Sequence, residues 1–292
     1  ASIWILGKTG QLAQCFEDSF MGETAECVRF FGRDEIDFEN DLFEQLSELN
    51  EIPDVIVNTA AYTAVDKAES EEELAHRVNA EAVSELADFC SLHDVVLIHF
   101  STDYVFDGLK KEAYIETDPT HPQSIYGKTK CEGEEKVRTH EKHIILRTSW
   151  VFGSHGNNFL KTMLRLIQEK ESLNIVGDQW GSPASATMLA DVTFKIVDTI
   201  FKNKNFKDYG TYHVTNDGET NWHAYASLIS SQAMKLNLKV KCPPDKIHAI
   251  LTSEYPTAAK RPSNSRLNTD KLKKTFMLEL PHWESEVKKV LK

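Results

Sequence analysis

The chain has 292 residues, 41% of them hydrophobic and 27% charged, with a formal net charge of −12 at pH 7. That length suits one large or two smaller domains, and the composition excludes a disordered or low-complexity chain. The negative balance argues against nucleic acid or an anionic membrane surface as principal partner, yet a small anion could still be held by helix N-termini.

Five cysteines (Cys15, Cys27, Cys90, Cys131 and Cys242) are scattered and never in Cys-x-x-Cys spacing, which reads as reduced thiols. The eleven histidines show no metal-ligand spacing. The opening apolar run is too short for a signal segment, and no stretch approaches the ~20 apolar residues of a membrane span. A cytoplasmic protein without a metal site is expected.

Taken in order, Ser2–Leu6 is a short apolar run closed by Gly7, as a buried parallel strand would be. Gly7-x-x-Gly10-x-x-Ala13 then opens a helix expected to reach about Phe20. Small residues there let backbone amides approach a pyrophosphate, although a strand-to-helix turn that binds nothing reads the same. Val28–Phe31 is a second strand, ending at Gly32 and Arg33, where a Rossmann sheet faces an adenosine ribose. An arginine there suits a 2′-phosphate and tilts the reading to NADPH; a solvated surface arginine is the alternative. Asp37 follows, placed to meet an adenine amino group. Asp54–Asn58 is a third strand, and Ala60, Ala61 and Tyr62 after it offer another close backbone approach to a cofactor.

Residues Ser70–Leu92 are expected as one long helix, with Glu71, Glu72 and Glu73 in the first turn, where the macrodipole favours acids. Asn79 lies within it despite poor propensity, either as an indifferent surface residue or to bond backbone near a site. Val95–Phe100 is the next buried strand. Ligands of open α/β sheets bind at strand carboxyl ends, which places Ser101 and Thr102 to bond a substrate carbonyl. A helix over Ser124–Thr139 carries Tyr126 and Lys130, and Ile144–Ser149 leads as a strand to Trp150 and Gly153. This alternation predicts an α/β fold, a Rossmann-type doubly wound parallel sheet over residues 1–153.

Beyond residue 153 the pattern loosens. Helices are expected over Phe159–Glu169, about Ser185–Phe201 and Trp222–Met234, with strands at Leu173–Val176 and Tyr212–Val214. Arg261 and Arg266 flank a polar turn that suits a surface loop or a diphosphate. Residues 154–292 are therefore expected mainly as a smaller C-terminal substrate-binding lobe, with some segments returning to the core.

Tyr126 and Lys130 share one helix face, with roughly 5–6 Å between their Cβ atoms. A tyrosine with its free pKa of about 10 is a poor proton donor at neutral pH. A neighbouring ammonium lowers that value and lets the phenol exchange a proton with a reacting oxygen. The pair is common in helices by chance. Joined to a phosphate-binding turn in the same chain, it suggests a nicotinamide-dependent reductase.

Together these segments resemble the dTDP-4-dehydrorhamnose reductase family, extended short-chain dehydrogenases/reductases of nucleotide-sugar metabolism, from about residue 2 to residue 290. The match is carried by Gly7–Leu12, Asp54–Asn58 with Ala60 and Ala61, Thr63–Glu69, Ser101–Phe106 and Tyr126–Lys130. It continues through Arg147–Val151, Gly156–Phe159, Asp178 with Gln179, and Arg261–Leu267. The resemblance implies reduction of dTDP-4-dehydro-L-rhamnose at its C4 ketone by NADPH or NADH, with Thr102, Tyr126 and Lys130 as the catalytic set. It places Gly7, Gly10, Gln11, Leu12, Ala60, Ala61 and Tyr62 along the cofactor, beside Arg33, Asp37 and Asn79, with Lys130 also on the nicotinamide ribose. Val105 and Trp150 would meet the substrate's sugar, Asn158, Trp180 and Arg261 its nucleotide diphosphate end, and Val65 is expected as a further substrate-binding residue.

Two departures stand out. The third fingerprint position is Ala13, which the motif permits. Some members of the family dimerise around a magnesium ion held by glutamates, but the matching positions here are Cys15 and Thr187. Neither suits a hard cation that takes carboxylate oxygens. The expectation is a monomer or a metal-independent homodimer. Competing readings are a reductase of another 4-keto-6-deoxy nucleotide sugar, an epimerase-reductase, or a non-catalytic relative of the methionine adenosyltransferase regulatory subunit type.

Overall fold

The computed structural model describes residues 1–20 and 27–292. Its first half contains β1 (Ile3–Leu6), α1 (Gln11–Phe20), β2 (Val28–Phe31), α2 (Leu42–Glu48), β3 (Val55–Asn58) and α3 (Val65–Ala68). Then come α4 (Glu72–His76), α5 (Ala82–His93), β4 (Val96–Thr102), α6 (Ile125–Val137) and β5 (His143–Thr148). The second half adds β6 (Val151–Phe152), α7 (Phe159–Glu169), β7 (Leu173–Val176), β8 (Trp180–Gly181), β9 (Ala184–Ser185) and α8 (Ala186–Lys202). It ends with β10 (Gly210–His213), β11 (Thr220–Asn221), α9 (Trp222–Lys235), β12 (Ile247–Ile250), α10 (Asp270–Phe276) and α11 (Trp283–Leu291).

Six strands make one parallel sheet in the order β10-β5-β4-β3-β1-β2. The order reverses between β1 and β3, and such a switch point opens the crevice where ligands of doubly wound sheets bind. Side chains alternate between faces with period two. Ile3, Ile5, Val55, Val57, Val96 and Ile98 meet Phe16, Leu189, Ile196 and Phe276 on one side. Trp4, Leu6, Ile56, Leu97 and Ile145 meet Leu46, Leu86 and Val137 on the other. Both faces are covered, which is why the strands read as unbroken apolar runs.

Segments far beyond residue 153 complete this sheet. β10 pairs with β5, and α8 packs Met188, Leu189, Val192 and Ile196 onto the core at helical spacing. A separate core of Phe152, Leu160, Met163, Ile167, Tyr225, Ile229 and Trp283 joins α7, α9 and α11 into the smaller lobe. There β7 pairs with β12.

The single helix expected over Ser70–Leu92 is interrupted by a π-turn over Arg77–Glu81, between α4 and α5. A π-turn inserts an extra residue into the helical ladder. The physical reason is packing against α6: the Asn79 carbonyl lies so close to Gly133 that a Cβ there would collide with it. Arg77, in the same turn, donates to the carbonyls of Phe38 (3.1 Å) and Asn40 (2.7 Å) and pairs with Glu85 (2.6 Å). That pins the loop after β2.

Among the described residues, no helix is long and apolar enough to cross a membrane, and no cluster of His, Cys, Asp or Glu could hold a metal ion. Cys15 and Thr187 do meet, thiol against hydroxyl.

Candidate active site

The turn after β1 is set by Gly7 at φ +97°, a conformation that suits glycine. A Cβ there would lie 2.7 Å from Thr59 Oγ1 and 2.9 Å from the Ala60 amide nitrogen. Glycine thus lets the ends of β1 and β3 close on each other at the N-terminus of α1. This cradle fits the diphosphate of a dinucleotide, because backbone amides and the helix dipole both favour an anion. The Gly10 amide donates to the Gly7 carbonyl (2.9 Å), Ala61 follows Ala60 in the facing loop, and Leu12 packs half-buried against the core. Gln11 accepts a hydrogen bond from Asn158 Nδ2 (3.2 Å). Asn158, expected at the substrate's diphosphate, is therefore seated beside the cofactor turn. It caps α7, its Oδ1 accepting the Lys161 amide at 3.0 Å.

On the adenosine side, Arg33 pairs with Glu39 and stands 3.9 Å from Asp37. The Asp37 carboxylate accepts from the Glu39 amide (2.9 Å) and the Asn40 side chain (3.2 Å). Both candidates are thus engaged within their own loop. Asn79 proves buried: it accepts from the Tyr62 amide (2.9 Å) and donates to the Tyr62 carbonyl (3.1 Å) and Thr129 Oγ1 (3.1 Å). Of the two readings, the one in which it bonds backbone holds, and it is not a surface residue. The Tyr62 hydroxyl donates to Glu71 (3.0 Å).

At the carboxyl end of β4, the Thr102 hydroxyl lies near the Tyr126 phenol, donates to Asp103 (3.3 Å) and accepts the Tyr104 amide (3.2 Å). Ser124 starts α6 by accepting the Gly127 amide at 3.1 Å. Gly127 lies against the Tyr104 carbonyl, with no room for a Cβ, and this sets the Tyr126 ring edge-on to Tyr104 at 5.4 Å. Lys130, one turn on, is buried and donates to the Phe100 carbonyl at 2.8 Å. Burial pushes its ammonium down to about 8, with Glu134 opposing. Burial pushes the Tyr126 phenol up, against the hydrogen bond from Thr102. Burial is the largest influence on this phenol, ahead of Thr102, Asp103 and Tyr104.

Asp103 escaped notice in the sequence, although it lies in the run Ser101–Phe106. Its carboxyl is buried beside Thr102, Ser265 and Tyr126, and burial pushes it up from 3.8 to about 7. A raised carboxyl favours the folded state fully below its unfolded value, and that contribution is lost as pH rises through about 7. Asp103→Asn is expected to remove this slope and to be more stable than wild type at mildly alkaline pH by about 1–4 kcal/mol. Thermal denaturation of both proteins across acidic to alkaline pH checks it; parallel curves would contradict the assignment.

On the substrate side, Trp150 stacks on Trp222 at 3.6 Å, and Trp180 is 43% exposed. The backbone of Trp180 pairs with Ser263 (2.9 Å) and Ser265 (2.7 Å), joining it to the Arg261 loop. Arg261 pairs with Asp66 (2.7 Å) and reaches the Tyr104 hydroxyl (3.4 Å), beside half-buried Val65 on α3. Arg266 is bound instead to Glu219 (3.3 Å) and the Lys111 carbonyl. Val105 does not face the crevice. A 3-10 turn over Asp103–Val105 carries it inward from β4, and its side chain is wholly buried against Phe106, Tyr114, Cys131 and Leu267.

The family model for the RmlD substrate binding domain matches residues 1–292. The dTDP-4-dehydrorhamnose reductase of Salmonella typhimurium is 46% identical over 240 residues, covering 82% of this chain and 79% of that protein. The crystal structure of a dTDP-4-dehydrorhamnose reductase from Clostridium acetobutylicum is 34% identical, with a TM-score of 0.89 over 100% of this chain and 98% of that one. The structure of the Bacillus anthracis dTDP-4-dehydrorhamnose reductase, in complex with NADP, is 35% identical, with a TM-score of 0.88 over 99% and 98% of the two chains. Sequence identity and backbone agreement of this size run together along nearly the whole length. The chain belongs to the RmlD substrate binding domain family, that of the dTDP-4-dehydrorhamnose reductases.

Proposed function

We propose that the protein reduces the C4 ketone of dTDP-4-dehydro-L-rhamnose to give dTDP-L-rhamnose, with NADPH or NADH as reductant. The carrying observation is the grouping of Thr102, Tyr126 and buried Lys130 at one strand end, two strands from the glycine turn. Held along Gly7, Gly10, Gln11, Leu12, Ala60, Ala61 and Tyr62, the nicotinamide nucleotide supplies a hydride to the ketone carbon. Thr102 hydrogen-bonds the oxygen on which negative charge grows. Tyr126, still protonated at neutral pH, gives its proton to the resulting alkoxide. The Lys130 ammonium stabilises the phenolate left behind. One of its N–H groups is on the Phe100 carbonyl, which leaves two that would hold the nicotinamide ribose. Arg261 offers a guanidinium to the nucleotide diphosphate. The protein acts in the cytoplasm as a monomer or metal-independent homodimer.

The test follows NADPH and NADH oxidation with dTDP-4-dehydro-L-rhamnose generated in situ by the upstream enzymes. Rapid oxidation that depends on the sugar is expected, and the ratio of cofactor rates reports on Arg33, which Glu39 now holds. Cofactor binding without oxidation would replace this reading with another keto sugar or a regulatory role.

A further inference from the structure

One turn beyond Lys130 on α6, Glu134 is completely buried. Its carboxylate accepts from the Ser101 hydroxyl (2.5 Å), from Arg147 Nε (3.0 Å) and Nη2 (2.7 Å), and from Arg138 (2.9 Å). Arg147 is only 2% exposed. Ser101 directly precedes Thr102 on β4 and lies opposite Arg147 on β5. One carboxylate therefore ties the helix bearing Tyr126 and Lys130 to the strand end bearing Thr102. Apolar side chains would anchor the helix there without the desolvation penalty of a buried ion pair, so anchoring alone does not account for the charge.

We propose that Glu134 is a positioning residue of the reduction, fixing Lys130 in register with Thr102 and supplying the negative charge that faces the Lys130 ammonium. The inference rests on the ketoreductase reading of the site. The other groups near that ammonium are His99 of β4, kept neutral by burial and by Lys130 itself, and Tyr126 on the same helix. Arg147 and Arg138 are bound to Glu134.

The test is Glu134→Gln, assayed with NADPH and the keto sugar. The expected result is a fall in kcat on the order of 10–100-fold at nearly unchanged KM, as misplacement of a catalytic group produces. The alkaline limb of kcat/KM should move to lower pH by about one unit, because the facing charge is gone. Lysine NMR of the substrate-free protein reads the same Lys130 displacement without any turnover. Glu134→Asp keeps the charge and is expected to restore the limb while kcat stays low. If the glutamine variant does not fold, the aspartate variant decides: lowered kcat at unchanged KM supports the role, and wild-type kcat overturns it. Lost thermal stability with an unmoved Lys130 titration would also overturn it. Wild-type turnover, measured alongside, separates failure of this inference from failure of the ketoreductase reading.

Discussion

Tyr126→Phe is expected to lower kcat by about 10²–10⁴-fold, the usual worth of a positioned general acid, with cofactor affinity close to wild type. The substitution removes one hydroxyl and keeps the ring, whose edge-on packing against Tyr104 at 5.4 Å holds α6 in place. The glycine turn proposed to hold the cofactor, at Gly7 and Ala60, lies two strands away and is untouched. What is lost is the proton that goes to the alkoxide once hydride has arrived at carbon. Thr102 is a poor replacement, because an aliphatic hydroxyl is a much weaker acid than a phenol and its own hydrogen runs to Asp103 (3.3 Å). Steady-state kcat together with cofactor titration by fluorescence checks both halves. Undiminished turnover would end the assignment of Tyr126.

Arg147→Met is expected to destabilise the fold by about 3–5 kcal/mol, the largest effect on stability foreseen for a single substitution here. The new side chain has similar volume and covers the Phe106 ring, over which the guanidinium now sits at 5.0 Å. Yet it strands Glu134 at zero exposure with only Ser101 and Arg138 as donors. Burial pushes the Glu134 carboxyl up, but Arg147 together with Ser101 and Arg138 outweighs it and holds it below the ordinary value. A depressed carboxyl contributes stability above its unfolded pKa and loses it as pH falls through the folded one. The penalty of Arg147→Met should therefore be full at neutral pH and shrink in acid, once Glu134 takes a proton. Chemical denaturation at both pH values measures it, and the double variant with Glu134→Gln should recover part of the loss. A penalty that did not change with pH would show that volume, not charge, was decisive.

The glycine turn and the Tyr126–Lys130 pairing were legible because each is written in a few adjacent residues. Backbone approach at Gly7 needs glycine whatever surrounds it, and Tyr126 and Lys130 share a face on any α-helix. β1, β3 and β4 were readable for a similar reason: strands covered on both faces must be apolar at every position. α7 was bounded by its own amphipathic spacing, with Asn158 as its cap. The fold class followed from the alternation of such units.

What the sequence could not decide depends on partners distant along the chain. The π-turn at Asn79 answers to Gly133, and Asn158 was drawn to Gln11, 147 positions away. The return of α8 and β10 to the sheet is a matter of which hydrophobic face finds which. The resemblance set Val105 at the substrate's sugar, but a tertiary cluster with Leu267 closed over it. Protonation is the sharpest case. A spacing of four residues says that Lys130 is near Tyr126, but whether the phenol's pKa falls or rises depends on how much protein excludes water from it. Desolvation acts through everything packed around a group, and so only the folded chain determines which residue holds the proton, and where Asp103 and Glu134 stand in that balance.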